Sequence, residues 1–228
     1  MAVIKSWSFS ALRSYEECPY RFKLKSVGAP KPPYVENDGT RIHNEAEAFV
    51  KGESPLTPAL KRFADSFERE KELYAEGKLV VESEWAFDAQ WRICDWKSAW
   101  LRVKTDQFEH EPGSDTATIR DLKSGKSWQK ELEHAQQVQL YAIAAFMRYP
   151  ELLMIDVRFR YLGEGKEPSR LYARDEKFDR LFDRWSARAE KMLSDDELRP
   201  KPNKSRCRFC DYGPNEGGSN ACEWGVPT

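Results

Sequence analysis

Asp106, Asp121 and Lys123 are the residues of this chain best placed by type and spacing to do chemistry. They lie in WLRVKTDQFEHEPGSDTATIRDLKSGK, residues 100–126. A strand-like run carrying Leu101 and Val103 ends at Asp106, and a turn rich in Pro, Gly, Ser and Asp follows. A second run, with Thr116, Thr118 and Ile119, then delivers Asp121 and Lys123. A hairpin of this kind can hold two carboxylates and a lysine around one point. Residues two apart on a strand share a face, so Asp121 and Lys123 project together while Leu122 faces the other way. Two hard oxygen donors suit Mg²⁺ or Mn²⁺. A lysine beside them orients water or neutralises charge that develops on phosphorus. A bare D-x-K hairpin also occurs on solvated surfaces, so the neighbouring elements decide between the two.

Those neighbours carry a pattern. EHAQQVQLYAIAAFM is helical and puts Gln137 and Tyr141 four apart on one face, with His134 three before Gln137. Upstream, DGTRIHNEAEAFVKG opens a helix at Asp38 or Thr40 with His43 in its first turns. The order His43, Asp106, Asp121-x-Lys123, Gln137-x-x-x-Tyr141 resembles the RecB-like branch of the PD-(D/E)XK nuclease superfamily. In that branch a His, two acidic residues, the lysine and a Q-x-x-x-Y helix build the site.

Five cysteines add a second theme: Cys18, Cys94, Cys207, Cys210 and Cys222. No apolar leader opens the chain and no run approaches a membrane span, so a cytoplasmic location is expected, where clustered Cys more often bind metal than form disulfides. Cys207-x-x-Cys210 and Cys222 lie in a tail rich in Pro, Gly and Asn that cannot bury enough apolar area to order itself. Thiolates on a metal centre would staple it, with Cys18 in SALRSYEECPYRF as the fourth ligand. The arrangement looks like the iron–sulfur members of the same nuclease branch, the AddB nuclease domain and exonucleases associated with CRISPR adaptation. There, one cysteine before the core and three after it ligate a [4Fe–4S] cluster. The gap from Cys210 to Cys222 is longer than usual in those families, and Val103 stands where a Gly is frequent. Zn²⁺ on the same four sulfurs, or a flexible redox pair at Cys207 and Cys210, are the alternatives from spacing alone. Cys94 reads as a small buried hydrophobe.

Composition bounds the partners. The 228 residues can bury a sizeable core, and 8 Trp argue against disorder. The net charge of −1 gives no global field for nucleic acid, so local basic surface is needed. Candidates are Arg13, Arg21, Lys23 and Lys25, Lys123 and Lys126, and Lys201, Lys204, Arg206 and Arg208. Aromatic residues (Tyr15, Tyr20, Phe22, Phe209, Tyr212, Trp224) lie among them, as base stacking would require.

The expected architecture is α/β: a central mixed β-sheet flanked by helices, a restriction-endonuclease-like core. One nuclease domain is expected, with a helical N-terminal lobe (1–77), the core (78–198) and a cysteine-rich tail (199–228) packing on the N-terminal helices. Helices are expected near 39–51, 57–76 and 130–148, and strands at 99–109 and 116–123. LVVESEWAF alternates as a strand with Glu82 or Glu84 on one side. A strand glutamate is an accessory site residue in some relatives, and Glu84 is the one retained here.

The resemblance implies metal-dependent hydrolysis of DNA from single-stranded ends in a bacterial, phage-infected or archaeal cell. His43, Asp106, Asp121 and the Leu122 carbonyl would bind Mg²⁺ or Mn²⁺, Lys123 would position the attacking water, and Gln137 and Tyr141 would hold the strand or Lys123. With no helicase motif, the chain acts alone or with a helicase, recombination or CRISPR-adaptation partner. The competing classes are a non-catalytic Cys-rich adaptor that binds DNA or protein, and a restriction-type endonuclease with a Zn site.

Overall fold

The computed structural model describes residues 5–33, 37–125, 131–215 and 217–227. Its frame is a five-stranded sheet in the order β1-β2-β3-β4-β5. The strands are β1 (Leu79–Phe87), β2 (Leu101–His110), β3 (Thr116–Lys123), β4 (Met154–Tyr161) and β5 (Ser169–Ala173). β3 and β4 run parallel, and every other pair is antiparallel. A parallel pair needs a crossover, which α5 (Glu131–Arg148) provides. Its Leu140, Ile143, Ala144 and Phe146 are almost fully buried against the sheet. This is the mixed α/β sheet expected from the sequence.

Helices α1 (Phe9–Glu17) and α2 (Pro19–Ser26) meet at Cys18. Ser8 caps α1 by accepting from the Ala11 N–H at 3.3 Å, and Pro19 occupies the first turn of α2, where a missing N–H costs nothing. α3 (Asp38–Val50) is capped by Asn37, one residue before the expected start. The helix expected over 57–76 is regular only as α4 (Ala64–Ala75). Before it, Leu60 N–H bonds to Thr57 and Phe63 N–H to Leu60 in tight turns, because Leu60 is drawn fully into the core. α6 (Glu176–Leu193) starts at its Asp175 cap and buries Trp185, Ala189 and Met192. Trp185 stacks on Trp7, and Trp91 and Trp100 pack edge-on to the same Trp7 ring. The tail, with the short α7 (Lys204–Cys207), folds back on the N-terminal helices. Tyr20 bonds Glu223 at 2.8 Å, and the Ser219 hydroxyl donates to the Pro30 carbonyl at 2.6 Å.

Two apolar clusters lie against the sheet, and β1 and β2 change sides between them. Leu79 and Val81 belong to the smaller cluster under α3 and α4, whereas Trp85 and Phe87 belong to the larger one. The switch occurs at Glu82, which has φ +50°, a left-handed conformation costly for a residue with a side chain.

Candidate active site and cysteine pocket

The β2–β3 ladder pairs Gln107 with Arg120 and continues to His110 and Ala117, the end nearer the turn. The next positions, Asp106 and Asp121, are not paired. The strands splay there, and the Asp106 carboxylate (Oδ2) accepts the Leu122 N–H at 2.6 Å in place of a ladder bond. A split between two strands frees both aspartates from the pleat and opens the space where they converge.

Asp121 is 2 % exposed, and three groups fix it. Lys123 Nζ lies 2.5 Å from Oδ2, and Gln137 Nε2 and Tyr141 Oη donate to Oδ1 at 3.2 and 3.0 Å. Gln137 Nε2 also donates to Tyr141 Oη at 2.7 Å, and Lys123 Nζ donates to Gln137 Oε1 at 3.2 Å. Helical spacing puts Gln137 and Tyr141 on the α5 face above β3, so one helix turn braces the carboxylate and the lysine together. Burial pushes the Asp121 carboxyl up, Lys123 pulls it back, and the Asp106 charge pushes it up again. Burial and both aspartates hold the Tyr141 phenol well above its ordinary value.

α3 brings His43 from the other side. Its Nε2 lies 2.9 Å from the Leu122 carbonyl, and its Nδ1 3.5 Å from Asp106 Oδ1. Gly39 allows the approach: a Cβ there would sit 3.0 Å from Ser124 Oγ, tighter than ordinary contact. Burial alone would lower the His43 pKa, but Asp106, Asp121 and the Leu122 carbonyl outweigh it and hold it at about 8.

The third approach comes from β1. His43, Glu82 and Asp106 each present a ligand atom, and all three atoms lie within 4.8 Å of one another. Glu84, the glutamate expected here, instead pairs with Lys104 on the exposed surface. Strand alternation offers both residues, but the left-handed turn at Glu82 brings that carboxyl alone, at the exposed edge, toward His43 and Asp106. Partial withdrawal from water, then the Asp106 charge, raises its pKa. Of the expected metal ligands, His43 and Asp106 are in this group. Asp121 turns to Lys123 and the α5 pair, and the Leu122 carbonyl faces His43. Two carboxylates and an imidazole are hard and intermediate donors, the set that suits Mg²⁺ or Mn²⁺, and Glu82 makes no ion pair among the described residues. His134 is not part of the site; its Nδ1 lies 2.6 Å from the Tyr161 hydroxyl.

All four expected cysteines, Cys18, Cys207, Cys210 and Cys222, line one cavity between the α1–α2 junction and the tail. The Lys201 N–H approaches Cys18 Sγ at 3.4 Å. Among the described residues, no three of these sulfurs lie within 4.8 Å of one another. Burial raises the thiol pKa of Cys210 and Cys222. Cys94 is only half-buried, not the buried hydrophobe expected. It sits just past a short bridge between Ile93 and Phe87, which leaves it at the sheet margin.

Lys123 and Gln137 also line a groove with Arg13, Arg21, Lys25 and Lys31, ending at Tyr212 of the tail. Tyr15, Phe22 and Tyr212, read as stacking candidates, are instead buried, while Phe209 and Trp224 are exposed. Lys126 lies outside the described residues.

Among known proteins, a solved structure from Eubacterium rectale, provisionally named an exonuclease, is similar over 91% of this chain and 86% of its own, with 13% identity and TM-score 0.52. An alkaline exonuclease from Laribacter hongkongensis covers 86% of this chain and 89% of its own at 12% identity and TM-score 0.36. The first likeness is one of fold. No curated protein matches the sequence. The PD-(D/E)XK nuclease superfamily model matches residues 6–214, nearly the whole chain. The chain belongs to the PD-(D/E)XK nuclease superfamily.

Proposed function

We propose that this nuclease is a divalent-metal-dependent deoxyribonuclease that degrades DNA from single-stranded ends. The observation that carries the reading is the splay of β2 and β3 at Asp106 and Asp121, with Lys123 on the second carboxylate. His43, Glu82 and Asp106 would hold Mg²⁺ or Mn²⁺ beside the scissile phosphate, with Asp121 within reach. When bound, the ion supplies positive charge that stabilises negative charge developing on the phosphoryl oxygens.

The chain's own groups do the rest. The Lys123 ammonium donates to the attacking water and aims its lone pair at phosphorus. As that oxygen–phosphorus bond forms, the water releases a proton to solvent, the bond to the leaving oxygen breaks, and that oxygen takes up a proton from solvent. Gln137 and Tyr141 fix the Asp121 carboxylate and the lysine in one geometry, so neither has to reorganise during the reaction. The preference for single strands is supported by the groove along α1 and α2. There Lys25, Lys31 and the Glu17-paired Arg13 and Arg21 outnumber the acids Glu17 and Asp211, and can follow a phosphate backbone although the chain as a whole is near neutral.

The four cysteines we assign to a structural [4Fe–4S] cluster. All four sulfurs line one cavity, as a single centre would require, and the resemblance to the iron–sulfur branch favours a cluster over zinc. Such a centre would bind the tail to the α1–α2 junction. Anaerobically purified protein should be brown, with broad absorption near ~400 nm and roughly four irons per chain. Colourless protein with stoichiometric zinc would replace the cluster by Zn²⁺. For the nuclease itself, the test is digestion of end-labelled single-stranded DNA with Mg²⁺ or Mn²⁺. Cleavage confined to closed duplex at defined sequences would favour the restriction-type alternative.

A further inference from the structure

We propose that Trp96, Arg102 and Lys104 form a second strand-binding arm, on the other side of Gln137 and Tyr141 from the basic groove along α1 and α2. The proposal rests on the nuclease reading above and extends it to the path of the DNA. Two clefts adjoin at Phe9, Ser10 and Gln137. One, about 510 Å³, contains Lys123 and runs along α1 and α2. The other, about 340 Å³, runs from Tyr141 and Gln137 to Trp96, Arg102 and Lys104.

Arg102 and Lys104 are two apart on β2 and share a face. The Arg102 guanidinium carbon lies 5.3 Å and Lys104 Nζ 5.4 Å from the centre of the Trp96 ring. Arg102 Nε also donates to the Trp96 carbonyl at 3.0 Å, which fixes the indole beside the cations. The ring is half-buried and belongs to neither apolar cluster, so the core does not account for it. An indole held against two cations, in a cleft that reaches Gln137 and Tyr141, the pair that holds Asp121, offers what one nucleotide of an unpaired strand needs. A base stacks on the indole, and the flanking phosphates meet the guanidinium and, in exchange for Glu84, the Lys104 ammonium. Duplex DNA hides its base faces in its own stack, so the arm selects a strand that is already single. The strand would then be held on both sides of the scissile phosphate rather than on one.

The test separates binding from cleavage. KM and kcat are measured for a labelled single-stranded oligonucleotide of about 20 nucleotides, and Kd for the same oligonucleotide is measured in an Asp121→Asn background by fluorescence anisotropy. Trp96→Ala should raise both KM and Kd about tenfold, the size of one lost base stack, while kcat falls by less than about threefold. Trp96→Phe, which keeps a stacking face, should recover most of the loss. A ring that only shields the Arg102 and Lys104 stems would show the reverse: lower melting temperature, with KM and Kd unchanged. That result overturns the arm. A chain that binds the oligonucleotide but never cuts it overturns the nuclease reading alone, because Kd still judges Trp96.

Discussion

The two faces of β2 and β3 carry buried charge arranged in opposite ways. In front, Asp106 and Asp121 converge with Glu82 and His43, and Lys123 is the one lysine or arginine paired with these carboxylates among the described residues. Behind, Gln107 and Arg120, their immediate neighbours in sequence, point the other way to Glu70 of α4. Gln107 Nε2 donates to Glu70 Oε2 at 3.0 Å, and Arg160 Nη2 lies 2.7 Å from Glu70 Oε1. Arg120 pairs with Glu109 at 2.7 Å and Arg160 with Glu167 at 2.5 Å, so each carboxylate behind the sheet has an arginine. The Arg160 guanidinium also lies over the Phe63 and Phe67 rings. Burial makes unpaired charge costly, so a matched cluster holds elements together, while an acid surplus raises carboxyl pKa values and favours a bound cation. The difference separates what holds the fold from what does the chemistry, although the residues are one position apart.

The largest expected effect tests the front. Asp106→Ala, Asp121→Asn and Lys123→Ala should each lower cleavage of single-stranded DNA by about a thousandfold or more, because such groups act as a unit. The Asp121→Asn melting temperature should hold or rise, since that change removes a buried acid from an acidic cluster. Near wild-type digestion by the Lys123 and Asp121 variants would end the assignment of the front to catalysis.

Behind the sheet the signs should invert. Glu70→Ala leaves two buried arginines short of an acid and should cost about 3–5 kcal/mol of stability. At roughly 2–4 °C per kcal/mol, calorimetry would register it clearly. Activity per folded molecule should survive. A Glu70 variant that melts normally but cannot cut DNA would break the comparison.

The front was readable in the sequence and the back was not, for a physical reason. Asp106, Asp121-x-Lys123 and Gln137-x-x-x-Tyr141 follow the periods of strand and helix, which fix relative direction within one element. The Glu70–Arg160 pair joins residues 90 positions apart, and no local period reports it. Glu82 was named beside Glu84 but not retained, because alternation gives only parity and its left-handed backbone breaks the alternation. Cys207, Cys210 and Cys222 were readable as a group from their spacing in the tail, whereas Cys18, about 190 positions earlier, was added by the family resemblance because no local period links it to them; the four line one cavity.

Glu82 gives a sharper, intermediate test of the metal. Outer-shell partners of metal ligands already cost about 10–100-fold in affinity when lost, so Glu82→Gln should weaken Mn²⁺ binding by at least about tenfold by titration calorimetry. Glu84→Gln should leave it unchanged, because Glu84 pairs with Lys104 on the surface. Equal effects from the two variants would place the ion elsewhere.

The smallest effect concerns a carboxylate of neither kind. Asp195, just past α6, accepts from the Tyr15 hydroxyl at 2.8 Å and from the Glu197 and Leu198 N–H groups at 3.1 and 3.0 Å. Its partial burial would raise its pKa, but those donors outweigh that and lower it. A carboxyl lowered on folding contributes stability above its unfolded value and loses it as pH falls through the folded value. Asp195→Asn should therefore melt below wild type at neutral pH, by about 1 kcal/mol, the usual worth of such bonds. The gap should narrow below about pH 4, where the unfolded carboxyl begins to protonate, and close at lower pH. Unlike the front, this carboxylate is met mainly by neutral donors, with Lys201 adding a smaller charge, so adding Mn²⁺ should not alter the gap. Melting curves across pH, with and without Mn²⁺, check both statements. A gap that depends on Mn²⁺ would tie Asp195 to the metal site and blur the line between the acids that bind the ion and those that hold the fold.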